Sequence, residues 1–117
     1  ISNLPNNVNL LNPVSKSSEL IKIYDDHNIT ILPSFTEGHP QVLIESLARR
    51  RPIIIFNEID FVKKNYHGVF VSTRNADNLE KTIKYIIENY RVISELMKEN
   101  ILPSKAASSV LAPALSE

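Results

Sequence analysis

The sequence predicts an α/β fold: a parallel sheet with helices packed against it. Short apolar runs alternate with helical patterns along the chain, which is how strand–helix–strand units read. The run Ile53–Phe56 is apolar at every position, as a strand buried on both faces requires. Asn12-Pro13 and Pro33 close the first two strand-like runs, and proline neither continues a ladder nor donates to one. A chain of 117 residues is one domain at most and long enough to bury a single core.

Taken in order, Val8–Leu11 reads as a short strand. Ser15–Ser18 offers helix caps, and Leu20, Ile21, Ile23 and Tyr24 give the apolar side of a helix running to about His27. Ile29–Leu32 is the second strand. A helix from about Pro40 to Arg50 follows, with Pro40 at its first position, and then the strand Pro52–Phe56. Residues 58–66 hold one or two loose helical turns. Gly68 precedes a fourth strand, Val69–Val71. A long amphipathic helix over 76–99 turns Leu79, Ile83, Ile86, Ile87, Ile93, Leu96 and Met97 inward. These elements place about four strands in a Rossmann-like sheet spanning residues 1–102. Residues 103–117, rich in Ala, Ser and Pro, lose periodicity and read as an irregular tail. There is no internal repeat.

Lys and Arg total 13 against 13 for Asp and Glu, so no global field points to nucleic acid or an acidic partner. Arg49-Arg50-Arg51 reads as a solvated helix end complementing the dipole. With no cysteine there is neither a disulfide framework nor a thiolate zinc site, which fits a reducing compartment. No signal-peptide pattern is present, and the four-residue run Ile53–Phe56 is far too short to span a bilayer. His27, His39 and His67 are dispersed without metal-ligand spacing, so no metal site is expected. No phosphate-loop or dinucleotide fingerprint occurs. Asp25-Asp26 ends a helix, an odd place for catalysis, and Ser34 reads as a turn residue.

The stretch "ILPSFTEGHPQVLIE", residues 31–45, is a strand exit that turns into a helix. Ligands of open parallel sheets bind beyond the carboxyl ends of the strands. Free N–H groups and the positive helix end make a phosphate cradle there, and Gly38 lets a ligand approach the backbone. Leu43, Ile44, Leu47 and Ala48 form the buried stripe of the helix, which leaves Glu45 off the stripe and available. A carboxylate accepts two hydroxyl donors at once, which suits the vicinal diol of a ribose. Glu37, on the loop, stands where a second sugar could be held. Two plainer readings remain open: Glu45 and Arg49 as an i, i+4 surface pair, and Glu37 as a charge that favours the dipole. The spacing alone does not decide, because Glu80 and Glu88 are also eight residues apart on an ordinary surface helix.

The stretch resembles the signature of retaining glycosyltransferases of the GT-B fold, the group that includes sucrose and glycogen synthases. In that signature two glutamates separated by seven residues follow a strand ending Pro-Ser and precede a small-residue helix and a run such as "RPIIIF". "YDDHNITILPSFTEGHPQVLIESLARRRPIIIFNEI" and "GVFVSTRNADNLEKTIKYI" follow the C-terminal half of the family in register, over roughly residues 8–100. The resemblance implies a partial GT-B C-terminal domain that binds a nucleotide-sugar donor and needs no cofactor. It implies that Glu45 holds the ribose hydroxyls and Glu37 the transferred sugar, as the catalytic carboxylate. Backbone groups of Gly38, His39, Gln41 and Val42 would contact sugar and diphosphate, and Val14 would sit near the base.

The reaction implied is transfer of a sugar, as by a hexosyltransferase, to an unidentified acceptor (a glycan, lipid or small molecule) with retained configuration. Its site is mainly electrostatic and positional. The intact enzyme is expected in the cytoplasm, with the inner face of the membrane open to it as a peripheral surface. Two departures stand out. Pro40 occupies a position where many relatives have glycine, which removes one N–H from the cradle. The chain also starts at the family's third C-terminal strand, without the Arg/Lys pair that neutralises the diphosphate, and Lys63 and Lys64 are not in the matching place. A fragment, inactive alone, of a larger enzyme is therefore expected. The alternatives are a non-catalytic flavodoxin-like binding module, which nucleotide-sugar binding would exclude, and a GT-B nucleotide-sugar epimerase, which product analysis would separate.

Overall fold

The computed structural model describes residues 3–38 and 40–103. In chain order it contains helix α1 (Ser17–Asp25), strand β1 (Thr30–Leu32), helix α2 (Gln41–Ala48) and strand β2 (Ile53–Phe56). A 3₁₀ segment (Asn57–Lys63), strand β3 (Val69–Ser72) and helices α3 (Ala76–Glu88) and α4 (Tyr90–Met97) follow. The strands form one parallel sheet in the order β1-β2-β3, with Thr30 opposite Ile53 and Ile53 opposite Val69. Parallel neighbours cannot be joined by a tight turn. Helix α2 therefore carries the chain from β1 back to the start of β2, and the 3₁₀ segment does the same between β2 and β3. This is the α/β architecture that the alternating pattern predicts, and the three apolar runs after residue 28 pair in parallel as expected.

Strand β2 is the centre of the core. Ile53, Ile54 and Ile55 are fully excluded from solvent. Successive strand side chains point to opposite faces, so both faces of β2 are covered. Each isoleucine contributes about 1.5–3 kcal/mol by burial. Leu43 and Leu47 of α2, Ile59 and Val62 of the 3₁₀ segment, and Ile86, Ile93 and Met97 of α3 and α4 complete the cluster. Gly68 enters β3 at φ +92°, and a Cβ there would lie 2.6 Å from Met97 Sδ. Only glycine fits both the backbone angle and the contact.

Three expectations give way. Val8–Leu11 is not a strand but irregular chain. Val8, Leu10 and Leu11 are 45%, 73% and 57% exposed, and among the described residues no strand lies along the outer edge of β1 to pair with them. Strand propensity without a neighbour has no ladder to complete. The sheet accordingly has three strands among the described residues rather than about four.

The helix expected over 76–99 breaks at Asn89 into α3 and α4. The Asn89 side-chain amide donates to the Tyr85 carbonyl (2.8 Å), a local bond that competes with the helical ladder. The Tyr90 hydroxyl then ties the start of α4 to the Asn28 carbonyl (2.7 Å). Ile86, Ile93 and Met97, at i, i+7 and i+11, keep one buried face across the break, while Ile87 and Leu96, also expected inward, lie to either side of it and are exposed.

The third difference is the arginine run, whose first member is buried. Helix α2 closes on Arg50 in the left-handed region (φ 54°). The Arg50 N–H donates to the Leu47 carbonyl (3.0 Å) and the Arg51 N–H to that of Ser46 (2.8 Å). These two bonds satisfy the last carbonyls of α2 as a glycine-type helix ending would. Of the expected tail, residues 104–117 lie outside the described residues. Among the described residues no helix is long and apolar enough to cross a membrane.

Candidate functional site

The carboxyl ends of all three strands converge on one side chain, Arg74, which follows β3. Its guanidinium donates to the Pro33 carbonyl (3.3 Å) and to that of Ser34 (3.4 Å), both at the exit of β1. It donates to Glu58 Oε1 (2.9 Å), just past β2. It also lies over the rings of Phe35 and Phe56, at 3.9 and 4.4 Å from their centroids. A planar cation between two aromatic faces is attracted by both quadrupoles, so the turn leading to Glu37 is fastened by charge and stacking together. In return, Arg74 holds the Glu58 carboxyl below the usual carboxylate range.

Beyond that clasp, the loop Pro33–Pro40 opens into two adjoining depressions. One, of about 510 Å³, is lined by Phe35, Thr36, Glu37, Gly38, Glu58 and Phe61. The other, of about 230 Å³, is largely apolar and runs from Gly38, Pro40 and Gln41 across Phe61 to Lys64 and Tyr66. Gly38 borders both. Nothing lies within 4 Å of where its Cβ would be, so the absence of a side chain keeps this junction open. Pro40 is the N-cap of α2 rather than its first helical residue, and it provides no side-chain capping bond. Its carbonyl accepts from the Leu43 and Ile44 N–H groups. The first turn of α2 borders the apolar depression through Gln41, Leu43 and Ile44.

Glu45 is not where the sequence puts it. It is 8% exposed, and the continuous run Leu43–Arg49 is buried. A helix buried all round is covered on more than one side: the sheet covers one, and α1 reaches the other. The Tyr24 hydroxyl donates to Glu45 Oε1 at 2.9 Å. Gln41 Nε2 donates to Oε2 at a longer 3.3 Å. Tyr24 is itself 8% exposed. Burial, and then the hydrogen bond and charge of Glu45, push its phenol above the ordinary tyrosine range, so Tyr24 remains the donor.

The same helix pair explains the arginines. Arg49 donates through Nε to Asp25 Oδ1 (2.8 Å) and through its second fork to Asp25 Oδ2. Arg51 donates to the carbonyls of Tyr24 and Asp25 (both 2.9 Å) and of Arg49 (3.1 Å), so it closes the C-terminus of α1 instead of facing water. Asp25, at a helix end, is thus a structural anchor. Under α2, the buried Ser46 hydroxyl donates to the Arg51 carbonyl (2.7 Å) and shares a 2.8 Å hydrogen bond with the Thr30 hydroxyl.

Of the residues singled out from sequence, Glu37, Gly38 and Gln41 border the depressions. Glu45 and Val42 lie on the helix behind them, and Val14 is exposed in the segment before α1. His39 lies outside the described residues. Lys64 borders the apolar depression. Sequence reasoning missed Tyr24, Arg74 and the role of Asp25. A signal existed for Tyr24: a tyrosine on an apolar helix face requires a buried partner for its hydroxyl. Among the described residues no group of three His, Asp or Glu side chains is placed to hold a metal ion.

Residues 2–101 match the family described as Glycosyl transferases group 1. An N,N'-diacetylbacillosaminyl-diphospho-undecaprenol alpha-1,3-N-acetylgalactosaminyltransferase of Campylobacter jejuni is 25% identical over 84 residues, 69% of this chain and 22% of the relative. An uncharacterized glycosyltransferase of Haemophilus influenzae is 27% identical over 99 residues, 81% of this chain and 28% of the relative. The chain thus spans about a quarter of the length of these curated relatives. No solved structure matches it.

Proposed function

This chain belongs to the glycosyl transferases group 1 family, and we propose that residues 1–102 form the donor-binding portion of a retaining GT-B glycosyltransferase. The observation that carries this reading is the β1–α2 loop. It brings a half-buried Glu37, an open Gly38 and the first turn of α2 onto adjoining depressions at the carboxyl edge of a parallel sheet. Such an edge is where α/β proteins bind phosphorylated ligands.

In this reading the nucleotide-sugar diphosphate lies against backbone groups of Gly38, His39, Gln41 and Val42. The ribose hydroxyls donate to Glu45, the base lies toward Val14, and Glu37 accepts from hydroxyls of the transferred sugar. As the bond from the anomeric carbon to the diphosphate oxygen breaks, positive charge grows on the sugar beside Glu37. Negative charge grows on the leaving group at the helix start, and both are stabilised in place.

The acceptor and the closing motion come from the rest of the enzyme. The chain alone is therefore expected to bind donor without transferring sugar. Transfer of a hexose would occur in the cytoplasm, and the undecaprenol-linked acceptor named for the Campylobacter relative supports peripheral work on a lipid-linked glycan at the inner membrane face.

Calorimetric titration of the chain with UDP-, GDP- and ADP-sugars tests the proposal. One of the three should bind, with affinity lost in Glu45→Gln. Absence of binding by all three would favour a module that uses these carboxylates only as charge.

A further inference from the structure

We propose that Tyr24 is a positioning residue that commits Glu45 to ligand through a single oxygen, so that the two ribose hydroxyls of the donor are recognised unequally. The inference rests on the donor-binding reading above. Its basis is the asymmetry of the two bonds to Glu45. Oε1 is held at 2.9 Å by a buried phenol on a different helix. Oε2 is held at 3.3 Å by Gln41, an exposed side chain on the same helix that itself borders the apolar depression.

A hydrogen bond to a charged acceptor strengthens when shielded from water. To free Oε1, the protein must leave a buried hydroxyl without a partner, at a substantial desolvation cost. To free Oε2, the protein exchanges a longer bond from an exposed side chain for one from the ligand. A ligand hydroxyl therefore replaces Gln41 and leaves Tyr24 in place. The phenol on Oε1 also stops the carboxylate from rotating to present both oxygens to a diol. One ribose hydroxyl donates to Oε2, and the other gains little from Glu45.

The fixed ends of α1 and α2 support this role. Arg49 and Arg51 bind Asp25 and the last carbonyls of α1, so Tyr24 is delivered to Glu45 from a helix that cannot slide along α2. Tyr24 acts on the ligand only through Glu45 and does not touch it.

The test is binding of uridine, guanosine and adenosine 5′-diphosphates and their 2′-deoxy and 3′-deoxy forms to the wild-type chain, Tyr24→Phe and Glu45→Gln. For the base that binds, one deoxy form should lose roughly tenfold or more in affinity, the scale of one charged hydrogen bond. The other should lose less than about threefold. Tyr24→Phe frees Oε1 and should bring the two losses within about twofold of each other. Glu45→Gln should weaken the ribonucleotide itself.

Tyrosine labelled with ¹³C at Cζ gives a readout in the wild-type protein, independent of the folding of Tyr24→Phe. The Tyr24 resonance should shift with the ribonucleotide and with the weakly affected deoxy form, and stay near its free position with the other. Equal losses for the two deoxy forms in wild type, both abolished in Glu45→Gln, would overturn the role of Tyr24 while keeping Glu45 on the ribose. A purely structural Tyr24 would lower the melting temperature of Tyr24→Phe and leave the inequality intact, which also overturns the inference. Unchanged ribonucleotide affinity in Glu45→Gln would instead remove the donor-binding reading of Glu45.

Discussion

Arg49 and Asp25, 24 residues apart in sequence, meet as a forked ion pair, with the arginine side chain 5% exposed and the aspartate 36%. The next residue, Asp26, pairs with Lys22 at 2.7 Å, but there both side chains are well exposed. Two neighbouring aspartates thus make ion pairs of very different worth. Asp25→Ala removes the carboxylate from a buried guanidinium, and breaking such a pair costs ~3–5 kcal/mol where burial is complete. The exposure of Asp25 trims this to about 2 kcal/mol. Asp26→Ala should cost less than ~1 kcal/mol. Urea denaturation of the two variants measures the contrast.

The pair also sets a dependence on acid. The hydrogen bond from Arg49, with the charges of Arg49 and Arg51, holds the Asp25 carboxyl below the usual carboxylate range against the opposing effect of burial. A value lower in the folded state than in the unfolded state adds stability that is complete above the ordinary carboxylate pKa of about 4. That stability is lost as pH falls through the lowered value. Asp25→Asn should therefore flatten the acid limb of a urea-midpoint profile. An unchanged limb would contradict the assignment.

Tyr24 gives the opposite limb. Its phenol is raised by burial first and then by Glu45, so its contribution is complete below the unfolded tyrosine value of about 10. It is lost as pH climbs beyond that toward the folded value. Tyr24→Phe should start less stable at neutral pH and lose less between pH ~9 and ~11. Thermal melts across that range check it.

The two glycines of the chain predict opposite outcomes. Gly68→Ala places a Cβ 2.6 Å from Met97 Sδ at φ +92°. It should destabilise by about 2 kcal/mol or more, through strain and displaced packing. Gly38→Ala meets nothing within 4 Å and should leave the melting temperature unchanged. It should nevertheless weaken nucleotide-sugar binding, because the methyl group enters the junction of the two depressions.

Arg74 predicts a local effect. Arg74→Ala removes the bonds to the Pro33 and Ser34 carbonyls and the stacking on Phe35 and Phe56. Amide exchange should accelerate across residues 34–38 with a global loss of only about 1 kcal/mol. Arg74→Lys, which lacks the planar fork, should restore little of the protection. Unchanged exchange would show that the loop is held without the clasp.

What was legible in the sequence follows from how local each cause is. The run Ile53–Phe56 announces a strand covered on both faces, and Gly38-His39-Pro40 announces the corner before α2. Val8–Leu11 carries the same local signal as a strand, but pairing depends on a neighbour that local composition does not report. Glu45 was placed off the buried stripe because helical period assigns one covered face. The second cover comes from α1, through Tyr24 and Asp25, and no local pattern encodes it. Arg74 is similar, since its partners are spread from Pro33 to Glu58.

The central claim is that Glu37 and Glu45 serve one donor site in different ways, and steady-state kinetics of the whole enzyme carrying this chain tests it most directly. Glu45→Gln should raise KM for the nucleotide sugar and spare kcat, because ribose contacts are made about equally in the ground and transition states. Glu37→Gln should lower kcat by ~10²–10³-fold, because the charge beside it develops only as the diphosphate leaves. Glu80→Gln and Glu88→Gln repeat the spacing on the exposed side of α3 and should behave as wild type. Exchanged effects would reverse the orientation of the donor within the site. All four variants matching wild type would contradict the account.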